Sequence, residues 1–302
     1  MAGPALMIIL LLERRRFAGQ PLSSAVAQRL GRGERLPDGE PGERAQLLRQ
    51  FEILPRDLPM AAITRESDAG DAGEGAWLRA DPVHVSADAT GARLKAWGTL
   101  GLEVQESREF VAALRPLFVE AGMALTAPTP DRWYLSLPRG TTVPDFVDPA
   151  QAFGGELLSM LPAGLEGRRW RSLFNESQVV LHQHPRNAAR IAAGRLPVNG
   201  LWFWGAGVLP DSVRCAAATV LSDDAELMAL ERLDASPAGG HRAGSLLDLR
   251  RQREWAKVEA VLAETQREGL ELELDFLDGA RWRLGSGQNW RFWRRAPAGL
   301  ED

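Results

Sequence analysis

The stretch ALMIILLLERRR, residues 5–16, decides the fold class. From Ala5 to Leu12 it is continuously apolar with no alternation, the pattern of a strand covered on both faces in a mostly parallel sheet. The run is far too short to cross a bilayer, and Arg14, Arg15 and Arg16 follow it where a signal peptide would place its cations first. It reads as a buried central strand of a cytoplasmic protein without a membrane segment.

Outward from that strand, a helix is predicted around Arg44 to Phe51, and the apolar stretch Leu58 to Thr64 is expected to pair beside the first strand. Ser67 to Gly75, SDAGDAGEG, reads as a solvated loop, because Asp68, Asp71 and Glu74 match no calcium-loop spacing. Phe110, Leu114, Leu117 and Phe118 share a helical face that Pro116 should bend or shorten. Met123 to Ala127 and Trp133 to Leu137 form a hairpin, and Trp170, Leu173, Phe174, Ser177, Val180 and Leu181 stripe a helix from about Arg168 to Gln183. Leu247, Trp255, Val258 and Leu262 define a helix stopped by Gly269. Leu272, Leu274 and Phe276 then enter a second hairpin through Asp278-Gly279. The sum is an α/β fold, a mostly parallel central sheet flanked by helices with antiparallel hairpins, in one domain over 1–302.

The 302 residues carry a net charge of -4 and a pI near 5.7, so the global attraction of a nucleic-acid binder is missing and such a partner is not expected. The basic charge is almost all arginine, a residue that grips carboxylates and phosphates in a planar fork and that a GC-rich genome also favours. Cys215 is the only cysteine, which excludes an intrachain disulfide and reads as a buried thiol.

Three segments could carry chemistry. WLRADPVHV, Trp77 to Val85, crowds Arg79, Asp81 and His84 into six residues, either an anion and proton-transfer site or an ion pair with a capping histidine. The helix that follows Arg168 shows Asn175, Gln178 and His182 on one side, and Asn187, Arg190 and Asn199 lie just beyond it. Together they offer a fixed cation and neutral amides to a phosphorylated or carboxylated small molecule, or else satisfy loop carbonyls. The aromatic run Leu201 to Gly207 reads as core strand, and its GAG turn lacks a dinucleotide fingerprint. The third segment, Arg281 to Arg295, interleaves five arginines with Trp282, Trp290, Phe292 and Trp293, either a stacking surface or a hairpin with its aromatics inward. The histidines His84, His182, His184 and His241 fall in no metal-ligand spacing, so neither metal nor cofactor is expected.

WLRADPVHV, the segment LPAGLEGRRWRSLFNESQVVLHQHPRNAARIAAGRLPVNGLWFWGAGVLP and the terminal RFW resemble the RpfE-type regulatory protein family, most firmly over 77–210. Asn187, Arg190, Gly194, Pro197, Asn199, Trp202, Trp204, Gly205, Gly207 and Pro210 are similar to a substrate-region pattern of the archaeal-type cofactor-independent phosphoglycerate mutases. That resemblance implies a degenerate alkaline-phosphatase-like fold and contacts to a phosphorylated three-carbon acid. It also implies a two-metal centre built from an Asp after the first strand, a Ser nucleophile and further Asp and His residues. Here the first strand runs into Glu13 and arginines, Ser23-Ser24 follow no metal-binding Asp, and beyond Pro210 the only histidine is His241.

The reading is therefore a non-catalytic phosphoglycerate-mutase-like protein, regulatory in role, holding a small anionic metabolite through Arg79, His84, Asn187, Arg190 and Asn199. Its rivals are a mutase or phosphohydrolase with a rearranged metal site, and a protein- or nucleic-acid-binding regulator that uses Arg291, Arg294 and Arg295.

Overall fold

A computed structural model describes residues 5–88, 91–235, 244–288, 290–291, 293–297 and 299–300. His241 and Phe292 lie outside the described residues. The chain divides into two compact units, one of Met1–Arg56 with Asp211–Asp302 and the other of Asp57–Pro210. No linker composition marks either boundary, and the second unit contains the whole of 77–210.

The first unit opens with β1 (Leu6–Leu11), α1 (Ser24–Arg32), β2 (Glu34–Arg35), α2 (Glu43–Gln50) and β3 (Phe51–Leu54). The second unit runs through α3 (Met60–Ala69), β4 (Ala76–Asp88), β5 (Gly91–Trp97), α4 (Val104–Glu120), β6 (Ala124–Thr126) and β7 (Tyr134–Leu137). It continues with α5 (Pro149–Ala152), α6 (Leu157–Met160), α7 (Gly164–His182), α8 (Pro185–Ala192) and β8 (Gly200–Gly207). The chain then returns to the first unit as β9 (Ser212–Cys215), β10 (Thr219–Leu221), α9 (Ala225–Arg232), β11 (Ser245–Asp248), α10 (Trp255–Arg267), β12 (Glu271–Phe276) and β13 (Arg281–Leu284).

The first unit holds a six-stranded sheet in the order β10-β11-β1-β12-β13-β2, parallel from β10 to β12 and antiparallel at the β13 and β2 edge. The fold class is the expected mixed α/β, with β1 in the interior and its Ile9, Leu10 and Leu11 fully buried. Ile9, Leu11, Leu272, Leu274 and Phe276 form a core with Val26 and Leu30 of α1 and Trp255, Val258 and Leu262 of α10. The alternation in β12 hides an interior strand: its polar positions Glu273 and Asp275 are also buried, each held by arginine.

The second unit is antiparallel. The long β4 pairs with β8 through Trp77–Val83 on one edge. Because Val83 also pairs with β5, and Trp77 and Arg79 also pair with β7, those two strands share the opposite edge. WLRADPVHV therefore lies within an interior strand.

Four sequence expectations change here. Leu58 to Thr64 belongs to the start of α3 and is not a strand: an apolar run this short fits either element, and Gly70 in the left-handed conformation (φ 68°) closes a helix. Ser67 to Gly75 is a solvated loop only from Gly70 onward, where Asp71, though forked by Arg65 (2.5 and 2.6 Å), and Glu74 are exposed; Ser67–Ala69 end α3, where Arg132 forks Asp68 (2.7 and 2.7 Å). Finally, α4 runs through Pro116 to Glu120, its buried Phe110 and Leu114 before the proline and Phe118 after it anchoring both halves. Gly205 and Gly207 lie within β8 and make no turn. A Cβ on Gly207 would stand 2.6 Å from Pro59 Cβ, so glycine here lets α3 approach the strand.

Candidate functional site

Most polar groups nominated from the second unit are engaged by the protein itself. Arg79 and Asp81, two apart on β4, form a buried fork (Nε–Oδ1 2.8 Å, Nη2–Oδ2 2.7 Å). The same guanidinium meets Thr64 Oγ1 at 3.2 Å and lies 4.9 and 5.4 Å from the rings of Trp204 and Tyr134. Trp204 Nε1 and the Trp133 amide also donate to Asp81 (2.8 and 3.3 Å). Buried Asn187 donates to the carbonyls of Leu181 and Val198 (2.7 Å each) and accepts from the Val198 amide (2.9 Å). Arg190 donates to Leu196 O (2.8 Å), Leu100 O (2.7 Å) and buried Glu106 (3.0 Å). The Asn199 amide imitates a strand residue by bonding both the N–H and the C=O of Val85, each at 2.7 Å. His84 Nδ1 faces Pro197 O at 3.0 Å.

These residues are thus brought together in part, Arg79 with Asp81 in one network and His84 and Asn199 along β4, while Asn187 and Arg190 brace the turns around α8. Asn175 and His182 are exposed on α7 and Gln178 half-buried, with no side-chain hydrogen bond among the described residues.

His184 has a role the sequence did not reveal. Its Nδ1 accepts the Arg186 amide (3.2 Å) as the cap of α8, with its ring 4.8 Å from Phe110. Burial, only partly offset by Glu109, holds its pKa below the ordinary value. The folded chain thus binds this proton less readily than the unfolded one. The stabilisation is complete above about pH 6.5 and is lost as the pH falls through and below that value. Urea denaturation between neutral and mildly acidic pH is expected to show a smaller loss in His184→Asn, which caps without titrating, than in the parent; equal losses would contradict this.

In the first unit, the carboxyl ends of the parallel strands, where open α/β sheets place ligands, carry acids that are each held by an arginine. Asp248 ends β11 and is held by Arg250 (Nε and Nη2, 2.9 Å each). Asp275, near the end of β12, is held by Arg49 (3.0 and 2.7 Å) and Gln50 (2.8 Å). Asp278 is held by Arg14 (2.9 Å), just beyond β1. Gln46 ties the edge together by donating to Leu11 O (3.2 Å) and Asp275 O (2.7 Å). Burial raises the Asp248 pKa, but the Arg250 fork and charge and the Ser222 hydroxyl outweigh it and leave the carboxyl below its ordinary range.

Beside this edge, a cleft of about 660 Å³ runs along the β3–β9 pair, walled by Arg49, Gln50, Glu52, Arg56, Arg214 and Cys215. Cys215 is buried, as the sequence suggested. Arg56 and Arg214 are exposed and make no ion pair among the described residues. Neither was nominated from the sequence, where both stand as isolated arginines among many.

The C-terminal aromatics do not all turn inward. Trp282 packs on Phe276 (5.4 Å) beneath Arg35 (4.0 Å), whereas Trp290 and Trp293 are 60% and 59% exposed and meet edge-on at 5.1 Å. No helix among the described residues is long and apolar enough to cross a membrane.

Fold and site define a class first: a mixed α/β protein whose mostly parallel sheet presents arginine-bound acids at its carboxyl edge. No protein-family model matches the chain. Part of it is similar to 2,3-bisphosphoglycerate-independent phosphoglycerate mutases. A probable one from Geobacter sulfurreducens is 39% identical over 64 residues, and one from Methanosarcina barkeri is 39% identical over 62. Those stretches are 21% and 20% of this chain and 16% of either relative, so the likeness is partial and distant. Among solved structures, the cofactor-independent phosphoglycerate mutase of Thermoplasma acidophilum aligns over 94% of this chain and 90% of its own at 13% identity and a TM-score of 0.36. The PH0037 protein of Pyrococcus horikoshii aligns over 97% and 91% at 11% identity and a TM-score of 0.48.

Proposed function

We propose that this chain is a phosphoglycerate-mutase-like protein that binds a small phosphorylated or carboxylated metabolite without metal-dependent phosphoryl transfer. The observation that carries the proposal is the 660 Å³ cleft of the first unit, with Arg56 and Arg214 in no ion pair among the described residues, although Glu52 stands opposite Arg214 on the paired strand. Its volume suits a small ligand, and a guanidinium offers two parallel donors to a phosphate or carboxylate. Glu52 is the single acid in the wall, and Arg49 is already neutralised by Asp275.

The two metals implied by the mutase resemblance fit these residues poorly. Among the described residues no group of three or more His, Cys, Asp or Glu side chains is placed to hold an ion. The acids at the sheet's carboxyl edge are spent on arginines, and no step is derived through a metal. A regulatory role, as the RpfE-type resemblance implies, follows if the bound metabolite alters how the protein meets a partner.

Thermal unfolding tests the proposal. With 3-phosphoglycerate at a hundred times its Kd, stabilisation of about 2.7 kcal/mol is expected, with none from glycerol and none in an Arg56→Ala/Arg214→Ala double variant. No shift with any phosphorylated or carboxylated three- to six-carbon acid would overturn it.

A further inference from the structure

The Asp248 cluster has the composition of a cation seat and a cation already in it. Glu43 from the first turn of α2, Asp224 capping α9 and Asp248 ending β11 converge from three elements on one guanidinium. Arg250 forks Asp248, bonds Glu43 through Nη1, and stands 3.5 Å from Asp224 through Nη2. The Ser222 hydroxyl donates to Asp248 Oδ2 (2.9 Å) and accepts from the Asp224 amide (2.9 Å), linking two of the three acids. Asp248 and Arg250 are buried, Glu43 and Asp224 partly so. Exposed Arg251 also reaches Asp224 (3.3 Å), but Arg250 is the buried cation shared by all three acids, which would repel one another at short range without it.

We infer that Arg250 is a tethered counter-cation filling the seat a divalent ion would otherwise take at this edge, so that the native chain is closed to divalent metals there. A guanidinium spreads its donors over a plane and holds the acids wider apart than a metal ion would, so the three acids are not arranged to ligate metal while it is present. Glu43, on a long and partly exposed side chain, is the group able to close on a smaller cation once the guanidinium is gone. This inference is independent of the metabolite cleft, whose arginines it does not use.

The test compares the full-length parent with Arg250→Ser in chelator, with manganese or magnesium at millimolar levels, and with sodium chloride at matched ionic strength. The parent is expected to show no divalent-specific change in melting temperature. Arg250→Ser is expected to melt several degrees lower in chelator. Manganese should restore at least half of that loss, sodium chloride should not, and Asp248→Asn added to Arg250→Ser should abolish the rescue. Arg250→Lys, which keeps the charge, is expected to gain no metal response and serves if the serine variant refolds only with metal. Equal rescue by sodium chloride, no rescue in either folding or melting, or a manganese site in the parent that Asp248→Asn removes would each overturn the inference.

Discussion

Arg79→Met is expected to cost the second unit about 3–5 kcal/mol, the usual penalty for stripping one partner from a buried ion pair. The cause is Asp81, fully buried, which would keep only the Trp204 indole and the Trp133 amide as donors for a charge that two guanidinium bonds now neutralise. The rings of Trp204 and Tyr134 would also lose the cation they flank. Removing both charges with Arg79→Met/Asp81→Leu should recover most of the loss, because the uncompensated carboxylate goes with its partner. Urea denaturation of the three proteins measures this. A single variant as stable as the parent would mean that the pair is not a buried one.

Arg190→Met is expected to cost about 3 kcal/mol, towards the lower end because Arg195 keeps a 3.0 Å bond to Glu106. The carbonyls of Leu100 and Leu196 would lose a charged donor in the interior. The same variant separates a bracing role from the ligand contact that the mutase resemblance assigns to this arginine. If Arg190 braces the fold, the stability loss appears without any ligand, and the shift produced by 3-phosphoglycerate in the folded protein is retained. A variant of parental stability that has lost the shift would return Arg190 to the binding site.

How far the sequence carried depends on what each pattern encodes. The unbroken apolar run of β1 can only be satisfied by burial on both faces, so it announced a parallel sheet directly. The β12 pattern misled in part: Glu273 and Asp275 alternate like a solvated face, yet Arg281 and Arg283 on the next strand of the hairpin and Arg49, far away in sequence, let that face be buried. Leu58 to Thr64 was read as a strand because periodicity cannot separate a short buried strand from a buried helix turn.

The candidate site was less legible for a related reason. Arg79, Asp81, Asn187, Arg190 and Asn199 are the residue types that bind anionic ligands, and also the types that satisfy buried carbonyls and carboxylates. Only their partners distinguish the two uses: Glu106 for Arg190 and Val85 for Asn199 stand 84 and 114 positions away, whereas Arg79 and Asp81 are two apart and fitted either use along the chain. Arg56 and Arg214 carried no local signal, since nothing along the chain shows that β3 and β9 pair and wall one cleft.

Calorimetric titration of chelator-treated protein with 3-phosphoglycerate, repeated with manganese and followed by analysis of the recovered ligand, bears most directly on the proposed function. Saturable binding of the same affinity with and without manganese, and ligand recovered unchanged, is the expected result. Binding that needs the metal, or recovery of the 2-phospho isomer or free phosphate, would contradict it and establish a metal-dependent enzyme.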